Sequence, residues 1–265
     1  MDSTPELEQN KNICINQMVN RNRSEAGMIE VAYPSYSSGE PRPMRAAVVR
    51  GIASEVRRRL FAGSIRPIEP KDLARRAGRL KVNGREVHLI WDFEHDVHDS
   101  NGAPVLGICE YDPQVPHAVM ISISSELVDE PELFRSTAAH ELGHAIFDMP
   151  AAMCGGARQS FGSGPARGQA PAAIDWREWR ADEFMGAFLA PPYHLSKAFA
   201  RHATAADLPM RWKGAGKLSA PVVCVREVGE DLIEGVVDAL AEEFGVSPAF
   251  MAVRLRKCGH LVASF

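Results

Sequence analysis

A chain of 265 residues with 45% hydrophobic content is long enough to bury one good core, with room for a small appended lobe. Its formal net charge of −4 argues against a global attraction to nucleic acid or to anionic membrane. Five scattered cysteines, odd in number and without a Cys-x-x-Cys pair, argue against a disulfide framework and against a thiolate zinc site. With no apolar signal-like segment and no run of about 18 apolar residues, the expectation is a soluble cytoplasmic protein.

Residues 1 to about 43 are polar and interrupted by Pro5, Pro34, Pro41 and Pro43, which predicts a disordered or adaptable leader. From Met44 to Ala62 the residues Val48, Ile52, Val56, Leu60 and Phe61 recur every three or four positions, the pattern of an amphipathic helix stopped by Gly63 and Ser64. Its Arg57-Arg58-Arg59 run reads as a solvated face. A shorter helix is expected from Pro70 to Ala77, closed by Gly78. Then come three short segments rich in β-formers, Glu86 to Trp91, Val105 to Tyr111 and His117 to Ile123. A hairpin loop over 112–116 joins the last two, and a small, largely antiparallel sheet is the expected result. Such a sheet would cover the back of the next helix, or offer an edge strand to an extended peptide.

That helix opens at Asp129 or Glu130, carries Pro131 in its first turn and must end before Pro150. It contains His140-Glu141-Leu142-Gly143-His144, an instance of H-E-x-x-H. Residues four apart lie about 6 Å along one helix face, so His140 and His144 can offer both imidazoles to one ion. Glu141 then stands beside an open position where it can act as a general base, which is the layout of a zinc peptidase. Chance accounts for such a match in a chain of this length on the order of one time in a hundred, so a third ligand is needed.

Residues 151–173 are Gly, Ala, Pro and Ser with little apolar bulk, and read as a flexible insertion or, less simply, a lid. A second helix spans Ile174 to Pro191. On it Glu178 and Asp182 lie one turn apart, spaced for a third ligand and for a carboxylate that accepts an N–H from a ligand histidine. Asp175 and Glu178 also form a capping-box-like pair, which alone would explain the Glu. It would leave HELGH without a partner, so the ligand reading is preferred. The longer H-E-x-x-H-x-x-G-x-x-H pattern fails because Phe147 and Pro150 stand where it needs Gly and His. Further on, Gly245 followed by Ser247 and Pro248 marks a stop and a restart, a helix-turn-helix-like pair.

Several of these residues together are familiar. The run Arg135-Ser136-Thr137-Ala138-Ala139 leading into HELGH, and Glu178, Ala181, Asp182, Phe184, Leu189 and Pro191 after it, resemble the ImmA/IrrE family of zinc metallopeptidases. Leu240 to Pro248, with Arg254 and Leu255, resembles that family's closing helical segment. Two features depart from the family: the long Gly/Ala-rich linker between His144 and Glu178, and the first 43 residues. The resemblance implies an α+β fold, with a zincin-like core of a small antiparallel sheet packed on the HExxH helix and a second ligand helix. The resemblance covers roughly Pro70 to the end; with the composition read above, the chain divides into a leader at 1–43, a metallopeptidase domain at 44–200 and a C-terminal helical segment at 201–265.

The expected site is therefore Zn2+ on His140, His144 and Glu178, with Glu141 catalytic and Asp182 behind the ligands. Tyr193, His194 and Arg254 are candidates for stabilising an oxyanion. The resemblance implies a protein substrate, a helix-turn-helix repressor whose cleavage relieves repression of mobile-element or stress-response genes. No membrane partner and no direct nucleic-acid binding are expected. The rival readings are a zinc-containing sensor or DNA-associated regulator that acts by binding, and a small-peptide hydrolase.

Overall fold

The computed structural model describes residues 28–163, 175–214 and 219–264. The fold is α+β. Strands β1 (Ile29–Val31), β2 (Arg79–Val82), β3 (Arg85–Asp92), β4 (Gly107–Tyr111), β5 (Ala118–Ile123) and β6 (Gln159–Ser163) form one sheet in the order β1-β2-β3-β5-β4-β6. The helices are α1 (Ala46–Phe61), α2 (Pro70–Arg76), α3 (Pro131–Phe147), α4 (Met149–Gly155), α5 (Trp176–Leu189), α6 (Pro192–Ala205), α7 (Glu230–Phe244) and α8 (Pro248–Lys257). No helix among the described residues is long and apolar enough to cross a membrane.

The sheet is mixed rather than largely antiparallel. The β4–β5 hairpin forms as expected, but β5 returns into the slot beside β3 and runs parallel to it. β1 also pairs parallel with β2. Alternate residues of β3 (Val87, Leu89, Trp91) and β5 (Val119, Ile121, Ile123) are buried on the shared core face. Against the sheet lies α3, buried continuously from Thr137 to Phe147 and therefore apolar on every side except at its functional residues. On its other side it meets α5, which α1 covers in turn.

Three expectations need correction. Residues 28–43 are not part of a loose leader: β1 joins the sheet, and the buried Tyr33 donates its hydroxyl to the Ile146 carbonyl at 2.7 Å. Residues 1–27 lie outside the described set. The 151–173 segment is not simply an unstructured insertion, because α4 carries Pro150 in its first turn and β6 pairs antiparallel with β4. Residues 164–174 lie outside the described set. Arg57 is not on a solvated face. It is 3% exposed, and its guanidinium donates to the Phe188 and Leu189 carbonyls at 2.7 and 3.2 Å, capping the end of α5.

The C-terminal segment carries the expected helix pair. Gly245 ends α7 at φ 65°, and the Ser247 hydroxyl caps α8 by accepting from the Phe250 N–H at 3.2 Å. It is not purely helical, since β7 (Met210–Lys213), β8 (Ala220–Cys224) and β9 (Leu261–Val262) form a small second sheet.

Candidate metal centre

Gly143 and Gly107 decide how closely α3 is enclosed. A Cβ on Gly143 would stand 3.0 Å from the Ala181 Cα, so the missing side chain lets α5 approach α3 backbone to backbone. A Cβ on Gly107 would stand 2.7 Å from Thr137 Cγ2 and 3.1 Å from Glu141 Cγ, so β4 can press onto the same helix from the sheet side. His140, Glu141 and His144 are consequently buried at the junction of sheet and helices.

The close crossing delivers Glu178 from the first turn of α5. His140 Nε2 and His144 Nε2 are 3.1 Å apart, Glu178 Oε2 is 3.3 Å from the first and Oε1 is 3.3 Å from the second. Zinc–nitrogen and zinc–oxygen bonds of about 2.0–2.1 Å in a tetrahedron imply ligand–ligand separations of about 3.3–3.4 Å. One carboxylate oxygen of Glu178 faces each imidazole nitrogen, with one donor atom from each residue all within 4.8 Å, so the group could hold a single ion, and among the described residues no fourth His, Cys, Asp or Glu joins it.

Each histidine is fixed from behind. His140 Nδ1 lies 3.1 Å from Asp182 Oδ1, as the one-turn spacing of Glu178 and Asp182 suggests. His144 Nδ1 lies 2.8 Å from Asp148 Oδ2, whose other oxygen accepts from Arg180 of α5 at 2.7 Å. Asp148 went unremarked in the sequence, although it stands four residues after His144 on the same helical path. In a metal-bound site each Nδ1–H would donate to its carboxylate, leaving Nε2 free to face the common point. The cap competing for Glu178 also exists, but Asp175 supplies it alone: its side chain accepts the Arg177 N–H at 2.8 Å while Glu178 turns to the histidines.

Burial by itself pulls the histidine pKa values down. Hydrogen bonds to Asp182 and Glu178 reverse this for His140 and raise it to about 10, and those to Asp148 and Glu178 raise His144 to about 9. Burial would raise the Glu178 carboxyl, but its contacts with both imidazoles outweigh that and hold it well below the carboxylate range.

The edge strand completes the enclosure. Phe161 of β6 stacks on His144 with ring centroids 5.2 Å apart and planes 10° from parallel, and the Arg177 guanidinium lies over the Phe161 ring at 5.4 Å. Phe161, Arg177, Arg180 and Asp148 also line a cleft of about 910 Å³ that adjoins the donors. The proposed oxyanion donors do not gather here. Arg254 is tied to Glu183 at 2.8 Å, and exposed Tyr193 packs instead on Lys197 and His194. Compared with family models, with curated proteins and with solved structures, the chain matches none.

Proposed function

We propose that this protein is a zinc-dependent endopeptidase of the ImmA/IrrE kind, built on a zincin-like core, with His140, His144 and Glu178 as ligands and Glu141 as general base. The observation that carries the reading is the three-donor group, two buried histidines and the half-buried Glu178, beside the buried Glu141. Three protein ligands, with no fourth among the described residues, suit catalytic zinc, whereas structural sites are closed by four. When bound, zinc supplies a Lewis acid that polarises a carbonyl and brings the pKa of water toward about 7.

The chain's own residues supply the rest. Glu141 takes a proton at its carboxylate and passes it to the leaving amine. Asp182 and Asp148 keep the two imidazoles oriented. Phe161 shields one face of His144 from water. In line with the resemblance, the substrate is a protein, a helix-turn-helix repressor in the cytoplasm whose cleavage relieves repression.

The test is Glu141→Gln, assayed on the product of a neighbouring repressor gene with zinc supplied. The expected variant holds zinc as the wild type does and loses cleavage by about 10²–10⁴-fold, the usual contribution of a general base. Wild-type cleavage by the variant would sink the peptidase reading, and unchanged biological output would favour a regulator that acts by binding.

A further inference from the structure

Arg254 is 2% exposed, yet most of its guanidinium is unused. Nη1 donates to Glu183 Oε1 at 2.8 Å, while Nε and Nη2 are buried without an acceptor. Among the described residues no other side chain leaves two such donors. Buried charged donors left unmet are unfavourable enough to call for an explanation. The arrangement is built rather than accidental, because a Cβ on Gly186 would stand 3.2 Å from Nη1 and 3.3 Å from Cδ.

Charge points the same way. Glu183 is the single carboxylate facing Arg254 at 2.8 Å, Arg50 at 2.5 Å and Lys257 at 3.7 Å, so positive charge is in excess. Arg254 and Lys257 wall a dent of about 310 Å³ between α5 and α8 whose other walls include Met185, Phe250 and Val253. Val253 is 49% exposed there. The dent's walls also include Asp182, whose carboxylate is already engaged 3.1 Å from His140 Nδ1. The dent is therefore one side chain away from the proposed metal ligands, with both cationic and apolar groups among its walls.

We propose that this dent is a subsite for a carboxylate carried by a peptide, its charge meeting Arg254 and Lys257 and its aliphatic part lying on Phe250 and Val253. A Glu side chain and a chain terminus present the same chemistry. That the ligand is a peptide rests on the peptidase reading; that a carboxylate binds does not.

The experiment uses the full-length Glu141→Gln protein loaded with zinc and titrates three probes by calorimetry. They are acetyl-Ala-Glu-Ala-amide, acetyl-Ala-Gln-Ala-amide, and acetyl-Ala-Gln-Ala with a free carboxyl end. One of the two extra-carboxylate probes is expected to bind about tenfold tighter than the neutral one, and which does so identifies the source. Adding Val253→Glu places the protein's own carboxylate in the dent, so it should abolish that preference and raise the thermal midpoint. Lys257→Gln should reduce the preference while leaving the neutral probe unchanged. Equal binding of all three, or none at millimolar concentration, overturns the proposal. So does a preference that survives Val253→Glu, since the carboxylate would then be binding at the metal ligands. A wild-type protein that cleaves nothing would leave these binding results standing, which keeps the two failures apart.

Discussion

Gly143 and Ala181 meet backbone to backbone where α3 crosses α5, with 3.0 Å between a built Cβ on the first and the Cα of the second. The contact sets the distance across which Glu178 reaches the histidines, so packing and metal binding are coupled at one position. Gly143→Val should therefore do two things. Overpacking costs about 1–3 kcal/mol of stability, more than valine recovers from its better helix propensity. Zinc binding should weaken as α5 is pushed outward. Denaturant unfolding and a zinc competition titration on the same sample check both. A variant with lowered stability and unchanged zinc affinity would separate the crossing from the site.

Asp148 should matter as much as Asp182. It accepts from His144 and from Arg180, tying the end of α3 to α5 behind the donors. Asp148→Ala is expected to weaken zinc by about 10–100-fold, the usual effect of removing a carboxylate behind a ligand histidine. A competition titration against a chromophoric chelator reads this directly.

Acid should loosen the α1–α5–α8 junction. Burial alone would raise the Glu183 pKa, but hydrogen bonds from Arg50 and Arg254 outweigh it and lower it from 4.5. A depressed folded-state pKa means that the unfolded chain binds the proton more readily. The stability Glu183 contributes is thus fully present above about pH 4.5 and is lost as pH falls through the lower, folded value. Glu183→Gln should remove that dependence. The stability difference between wild type and variant is expected to be flat at neutral pH and to shrink below about pH 4.5, as read by urea denaturation.

Elements with a strong local pattern were legible in the sequence. The spacing in HELGH and in Glu178 and Asp182 anticipated which side chains lie together, and Gly245 with Ser247 and Pro248 marked the α7–α8 turn within a residue or two. What escaped is held by distant partners. β1 is three residues long and exists because β2 pairs with it, and Tyr33 reaches Ile146 across 113 positions of chain. β6 sits in Gly- and Ser-rich sequence whose propensity is poor, and owes its pairing to β4 and to Phe161 stacking on His144. Arg57 looks like a surface charge in any window of sequence, and Arg254 reads there as a candidate oxyanion donor. Only the fold shows that one caps α5 and the other crosses Gly186.

The central claim is that Glu178 is a metal ligand, and zinc affinity in Glu178→Ala tests it most directly. With the helical circular dichroism retained, the variant is expected to lose more than the roughly 100-fold that removal of an outer carboxylate can cost, while the wild type binds zinc tightly. Undiminished zinc in Glu178→Ala would contradict the account and leave Glu178 as no more than an acidic residue in the first turn of α5.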